Sequence, residues 1–353
     1  MNQNHILIGL GGTGGKVLKE IRKRLFAEFK EEERRNLPLG FVYVDSTDEM
    51  MKPNDNSFRV QGQDASFNVS EFVNIKGVEL DTVFRNPSGF PGLKGFIGDP
   101  EVMQKTIGTL GAAAGQKRRA GRILFSASVQ SFLNTLNTQY EKVKRISGRA
   151  PVTIHIFTGL AGGTGSGAII DVITQTRKKF PNTILENNNS GADIVVYSMV
   201  PERNIPSGCD AGRYQANGFA ALTETSALLA GKYLPHDVTG RSERVDFATK
   251  KVANGVFLYS NINEHGNVLD SFKDVPKIVS DFAFSRIFLD QNDNTEEFNR
   301  FYSFENFDDF LFENNEKAKE NEIDLVRSKT FGSFGIKRIV IPEEEIIEYF
   351  TYS

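Results

Sequence analysis

The residues best suited by type and spacing to do chemistry are glycines. Gly9-Leu10-Gly11-Gly12-Thr13-Gly14 fits G-x-G-x-x-G, directly after the apolar run 5–10. Gly162-Gly163-Thr164-Gly165-Ser166-Gly167 follows a second apolar run, 151–157. Glycines let the backbone approach a phosphate, and free N–H groups at a helix N-terminus bind its negative charge. Thr164 and Ser166 can add hydroxyl donors. Taken alone, the first loop would equally open a dinucleotide-binding Rossmann domain. The ribose-binding acid expected ~20 residues on is missing, because Asp45 comes later, at the end of the apolar run 41–44. A dehydrogenase needs one pyrophosphate loop. Two loops, with a third small-residue turn at 111–115, predict several strand ends converging on one polyphosphate.

Strands alternating with helices must position these loops. Residues 5–10 predict a strand. Residues 16–30, with Val17, Leu18, Ile21, Leu25 and Phe29 at helical spacing, predict a helix. Residues 41–44 predict a second strand, closed by Asp45-Ser46-Thr47-Asp48. A helix runs to about residue 145, then a strand at 151–157 and a helix at 168–179. A strand at 193–200, a helix at 213–232, a strand at 256–260 and a helix at 274–289 complete the series. Such alternation predicts a mostly parallel sheet covered on both faces. Residues 51–107 read as an irregular insertion, rich in Asn, Ser, Gly and Pro up to about residue 100. Residues 292–322 are acidic and Phe-rich, which suits the packing face of a helix. A strand at 331–341 and a helix start at 343–350 follow.

Composition narrows the function classes. Lys and Arg total 42 against 45 Asp and Glu, a net charge of −3 with no global pull toward nucleic acid or anionic membrane. One cysteine, Cys209, excludes a disulfide framework and a Cys-based zinc site within one chain, and the four histidines show no metal spacing. No run of apolar residues is long enough to predict a membrane-spanning helix. The N-terminal apolar run is too short and Gly-rich for a signal peptide. The cytoplasm is the expected compartment.

With Gly159-Leu160-Ala161 before it, GGTGSG resembles the signature of tubulins and of the division protein FtsZ. Ile8 to Gly15 resembles the first nucleotide loop of FtsZ, and Ser46-Thr47-Asp48 its Asn-Thr-Asp loop. Gly111-Ala112-Ala113-Ala114-Gly115, with Gly121-Arg122 beyond, is similar to its Gly-Ala-Gly-Ala loop. The order holds across residues 6–289. Ser333-Phe334-Gly335-Ile336-Lys337-Arg338-Ile339 with Pro342 resembles the bacterial tubulin-like domain proteins, in which this domain often heads a longer polypeptide.

The resemblance implies a three-layer α/β GTPase domain over 1–291, with a reduced or divergent C-terminal part over 292–353. It implies a GTP or GDP site at the C-terminal ends of the strands. Gly11, Gly12, Thr13, Gly14 and Gly15 would line the α- and β-phosphates, and Gly162, Gly163, Thr164, Gly165 and Ser166 would cradle the phosphates from the other side. Ala114, Gly115 and Gln116 would lie near the γ-phosphate, and Asp48 would approach a phosphate-bound Mg²⁺ through water. Glu202 would meet the ribose, and Arg213 the terminal phosphate. Asn217 and the stacking ring of Phe272 would hold the base. Four residues beyond Phe272, where the family carries Asn or Asp, stands Pro276, and Asp274 is the nearby substitute.

In FtsZ an Asn-x-Asp-x-x-Asp loop completes the neighbour's site. The match here is Asn306-Phe307-Asp308-Asp309, which lacks the last acid; Asp308 and Asp309 are the candidate catalytic acids, with Asp293 and Glu296 as other possibilities. The expected function is GTP binding with slow hydrolysis coupled to head-to-tail self-assembly. One alternative is a nucleotide-binding scaffold that does not hydrolyse and contacts other proteins through 51–107. Another, a nicotinamide-dependent oxidoreductase, rests on the first glycine loop alone.

Overall fold

The computed structural model describes residues 4–77, 80–107, 115–184, 186–247, 251–288, 331–336 and 349–351. Strand β1 (Asn4–Leu10) is buried along its whole length, as a strand covered on both faces must be. Helix α1 (Gly11–Glu28) begins inside the glycine cluster, earlier than the apolar period indicates. Glycines carry no side chain to mark that period. Strand β2 (Leu39–Asp45) follows. A short strand, β3 (Phe72–Asn74), then emerges from the stretch read as irregular. Three residues are too few to give a period-two signal.

The stretch read as one helix to residue 145 is two, α2 (Arg118–Ala127) and α3 (Val129–Ser147). They break at Ser128, whose N–H closes α2 on the Leu124 and Phe125 carbonyls. Then come β4 (Val152–Gly159), α4 (Gly163–Lys179), β5 (Ala192–Met199), α5 (Tyr214–Leu229), β6 (Gly255–Tyr259) and α6 (Asp274–Phe288).

The six strands pair in the order β3-β2-β1-β4-β5-β6, all parallel. Gly332 adds one parallel bridge beside Phe257 of β6. The rest of the strand expected at 331–341 lies outside the described residues, as do the Phe-rich stretch 292–322 and most of the helix start at 343–350.

Period two sorts the strand side chains into two cores. Ile6, Ile8 and Leu10 of β1 join Ile154 and Ile156 of β4 on the face covered by α3 and α4, through Phe132, Leu136, Ile169 and Ile173. Leu7, Tyr43, Phe157 and Tyr197 point the other way and meet Leu18 and Ile21 of α1 and Val279 and Phe284 of α6. The result is three layers, helix–sheet–helix. Outside α2, Val83, Phe84, Leu93 and Ile97 form a third, small core against Ala120 and Ile123. No helix among the described residues is long and apolar enough to cross a membrane.

The strand order reverses direction between β1 and β4. In an open parallel sheet the crevice outside the carboxyl ends of two such strands is where ligands bind. Both glycine loops leave the sheet there.

Candidate functional site

Two helix N-termini meet at this switch point. The residue before α1, Leu10, and the residue before α4, Gly162, provide no side-chain cap, and neither first turn holds an acid. The free N–H groups of both first turns are therefore left for an anion. The loops touch: a Cβ on Gly11 would stand 3.4 Å from the Gly165 nitrogen, and Gly11 itself has φ +65°. A Cβ on Gly14 would collide with the Phe157 carbonyl oxygen, so only glycine lets α1 lie this close to β4. At Gly12 and Gly162, by contrast, a Cβ would meet nothing within 4 Å. These two glycines face open space.

The end of β2 locks onto the second loop through Asp45. Its carboxylate accepts from the Tyr43 hydroxyl at 2.7 Å, the Ser46 N–H at 2.7 Å and the Thr164 hydroxyl at 3.3 Å. The Ser46 and Thr164 hydroxyls are 3.1 Å apart. Burial pushes the Asp45 pKa up against the pull of these donors. Sequence reasoning noted Asp45 only as an acid out of place, because its partner lies over a hundred residues away. Asp48, three residues on, is exposed and makes no capping hydrogen bond. Beside it, Met50 packs on Gly15.

A third segment is tied in by Asn217 on α5. Its Nδ2 donates to the Gln116 carbonyl at 2.8 Å and to the Ala161 carbonyl at 2.9 Å, while Oδ1 keeps no partner among the described residues. Gly115 and Gln116 both have left-handed backbones, φ +50° and +57°. Left-handed glutamine is strained and persists only where its surroundings over-determine it. Here the Asn217 bond does so, together with one from the Ala211 N–H to Gln116 Oε1 at 2.8 Å. Arg118 holds the first turn of α4 through the Ser166 carbonyl, at 3.0 Å, while gripping Glu224 at 2.9 and 2.6 Å. Ala114 lies outside the described residues.

The loops after β5 and β6 supply the remaining groups. Glu202 is buried and accepts from the Tyr214 hydroxyl, whose pKa is pushed up by burial and by that carboxylate. Arg213, just before α5, is exposed. Phe272 is 48% exposed, and the Lys16 ammonium stands 4.3 Å from its ring centroid. Asp274 opens α6 and accepts from the Asp270 N–H at 3.3 Å. Lys16 was missed because a lysine in the second turn of an amphipathic helix reads as surface. Its pKa is pulled down by burial, with Cys209, Glu49 and Asp45 among the neighbouring groups that raise it.

The glycine loops, Asp45, Thr164, Gln116 and Asn217 are thus linked by direct contacts, and Phe272 joins them through Lys16. Asp308 and Asp309 lie outside the described residues, as do Asp293 and Glu296. Among the described residues no group of three acids, histidines or cysteines could hold a metal ion. A cavity of about 500 Å³ lies at the opposite end of α1, lined by Arg22, Leu25, Phe26, Arg34, Leu39 and Phe41. Its arginines are already engaged, Arg22 with Glu71 at 2.7 Å and Arg34 with Gln63 at 2.6 Å.

Residues 6–353 match the model of a protein family described as "Tubulin like". No curated protein matches the chain. Among solved structures, CetZ from Methanosaeta thermophila strain DSM 6194 is similar at 14% identity over 83% of this chain and 56% of its own, with a TM-score of 0.47. CetZ2 from Haloferax volcanii, a GTPgS bound protofilament, gives 14%, 84%, 61% and 0.44 in the same order. TubZ of Clostridium botulinum phage c-st gives 9%, 84%, 62% and 0.44. The chain spans 56–62% of the length of these three.

Proposed function

The chain belongs to the tubulin-like family, and from that membership we propose that it binds a guanine nucleotide at the β1–β4 switch point and hydrolyses it slowly on head-to-tail self-assembly. The observation that carries this reading is the meeting of two uncapped, glycine-lined helix N-termini, with open space where a Cβ on Gly12 or Gly162 would stand. Such a cradle offers several backbone N–H donors and little side-chain bulk, which suits a polyphosphate and not a bulky organic anion.

Gly11 to Gly15 would hold the α- and β-phosphates, and Gly162 to Ser166 the opposite oxygens. Gly115 and Gln116, with Ala114 before them, would face the terminal phosphate. The chemistry of the donors fits Mg²⁺ of one kind only. An exposed carboxylate, Asp48, can help hold an ion whose other ligands are phosphate oxygens and water. When bound, the ion would neutralise phosphate charge. Arg213 would take the same role, its guanidinium reaching from an exposed position just before α5. Glu202, braced by Tyr214, would accept from a ribose hydroxyl. Both hydrogens of the Asn217 amide are engaged, so its free Oδ1 is an acceptor, which suits guanine N1–H and N2–H₂ and repels the N1 lone pair of adenine. Phe272 would stack on the base, with Asp274 nearby. Asp308 and Asp309 would position water at the terminal phosphate of the neighbouring copy.

The test is to denature the purified protein and chromatograph the supernatant against nucleotide standards. GDP or GTP is the expected release. An adenine nucleotide would overturn the base assignment, and an empty protein that also fails to take up GTP with Mg²⁺ would overturn the site. Light scattering should then rise on adding GTP; a flat trace from a nucleotide-loaded protein would favour the non-hydrolysing scaffold.

A further inference from the structure

Lys16 occupies a place that a nucleobase would need. Its ammonium lies 4.3 Å from the centroid of the half-exposed Phe272 ring, and its hydrogens meet no hydrogen-bond acceptor among the described residues. The charged groups near enough to act on it are Asp45 at the end of β2, Glu49 beyond it, Cys209 after β5 and Lys19 one turn on. Lys16 directly follows Gly15, so the face of Phe272 that it covers lies beside the first glycine loop. A base stacked on that face, at a van der Waals separation of about 3.5–4 Å, would overlap the ammonium. The side chain is tethered to α1 and has a long, flexible stem. Such a stem can swing from the ring face to the rim of a stacked base.

We propose that Lys16 is a specificity-determining residue: the entering base displaces it from Phe272 to the base edge, where it donates to guanine O6 and N7. The proposal rests on the reading of Phe272 as the nucleobase platform. An ammonium has only donors. Guanine presents two acceptors on that edge, whereas adenine presents one acceptor and an amino donor, so lysine there favours guanine. The Pro276 side chain, where the family carries a base-reading amide or acid, offers neither donor nor acceptor, and Lys16 reads the edge adjacent to the one that Asn217 suits.

The experiment is a binding cycle with two proteins and two ligands: unsubstituted chain and Lys16→Met, each with GDP and 7-deaza-GDP, which lacks N7. Lys16→Met is expected to weaken GDP by roughly tenfold and 7-deaza-GDP several-fold less. Lys16→Arg should restore the dependence on N7. Phe272→Leu should weaken both ligands alike. Equal losses for the two ligands in Lys16→Met would assign the lysine to phosphate and overturn the proposal, and so would unchanged affinities. If the unsubstituted chain binds neither ligand, the nucleotide reading of the site fails first, and the proposal with it.

Discussion

His5 and His155 form a polar chain buried within the sheet. His5 Nδ1 and His155 Nε2 are 3.1 Å apart, and His155 Nδ1 lies 3.2 Å from the Tyr197 hydroxyl. Burial, and then the charge of Arg286, lowers the pKa of His5 from the ordinary 6.5 to about 3; His155 is also lowered, by burial and by its neighbours. Both rings are therefore neutral in the native protein near pH 7. A base with a depressed folded pKa takes its proton preferentially in the unfolded chain. Its contribution is whole above about pH 6.5 and is lost as pH falls toward 3. Urea unfolding at pH 7 and pH 5.5 should show a loss of about 2–3 kcal/mol from the two rings together. Equal stability at the two pH values would overturn the reading that both rings are neutral in the native state. The glycines make a second residue-scale contrast. Gly14→Ala drives a methyl into a backbone oxygen that cannot retreat and should cost about 3 kcal/mol or more. Gly12→Ala points into open space, so its melting temperature should hold or rise slightly through helix propensity. Nucleotide affinity of the same variant should fall roughly tenfold, about 1.4 kcal/mol. Thermal melts beside binding isotherms separate the two.

At the scale of elements, one buried arginine fastens the far end of α4. Arg177 is 1% exposed and donates to the carbonyls of Phe180, Asn182, Ala192 and Val252 and to Asn254 Oδ1, at 2.8–3.3 Å. It joins the last turn of α4 to the start of β5 and to the approach to β6. Burial lowers its pKa to about 10, which leaves it charged at pH 7. Arg177→Met strands several carbonyls at once and should cost about 3–5 kcal/mol in urea unfolding. Arg177→Lys keeps the charge but lacks the planar fork, so it should recover only part of that. A loss below about 1 kcal/mol for methionine would show that water replaces the guanidinium there. At the other end of α4 the grip is Arg118 on the Ser166 carbonyl. The helix is thus pinned at both ends, which suits an element whose first turn would hold the proposed ligand.

At the scale of the molecule, the proposed ligand would sit across the line between the β1–β2–β3 and β4–β5–β6 halves of the sheet. A ligand that contacts both halves binds the folded chain and not the unfolded one. GDP at a hundredfold excess over its Kd should add about 2.7 kcal/mol, read as a rise of several degrees in melting temperature. Gly12→Ala at the same GDP concentration should show a smaller rise. An unmoved melting temperature at saturating GDP would count against a site at the switch point. The alternation of strands and helices, both glycine loops and the family resemblance were legible in the sequence. Each is a local pattern of period, spacing or small side chains, and each is set by the chain near it. Strand β3 was not legible, because three residues carry no period, nor was the break at Ser128, which interrupts no apolar spacing. The tertiary structure alone decided what the polar residues do. Asp45 finds Thr164, Asn217 ties Gln116 to Ala161, and Lys16 settles on Phe272 only once distant loops share one crevice. Glycine spacing marks where a backbone can approach a phosphate, but a hydrogen bond between residues a hundred positions apart leaves no mark on either one's neighbours in the chain.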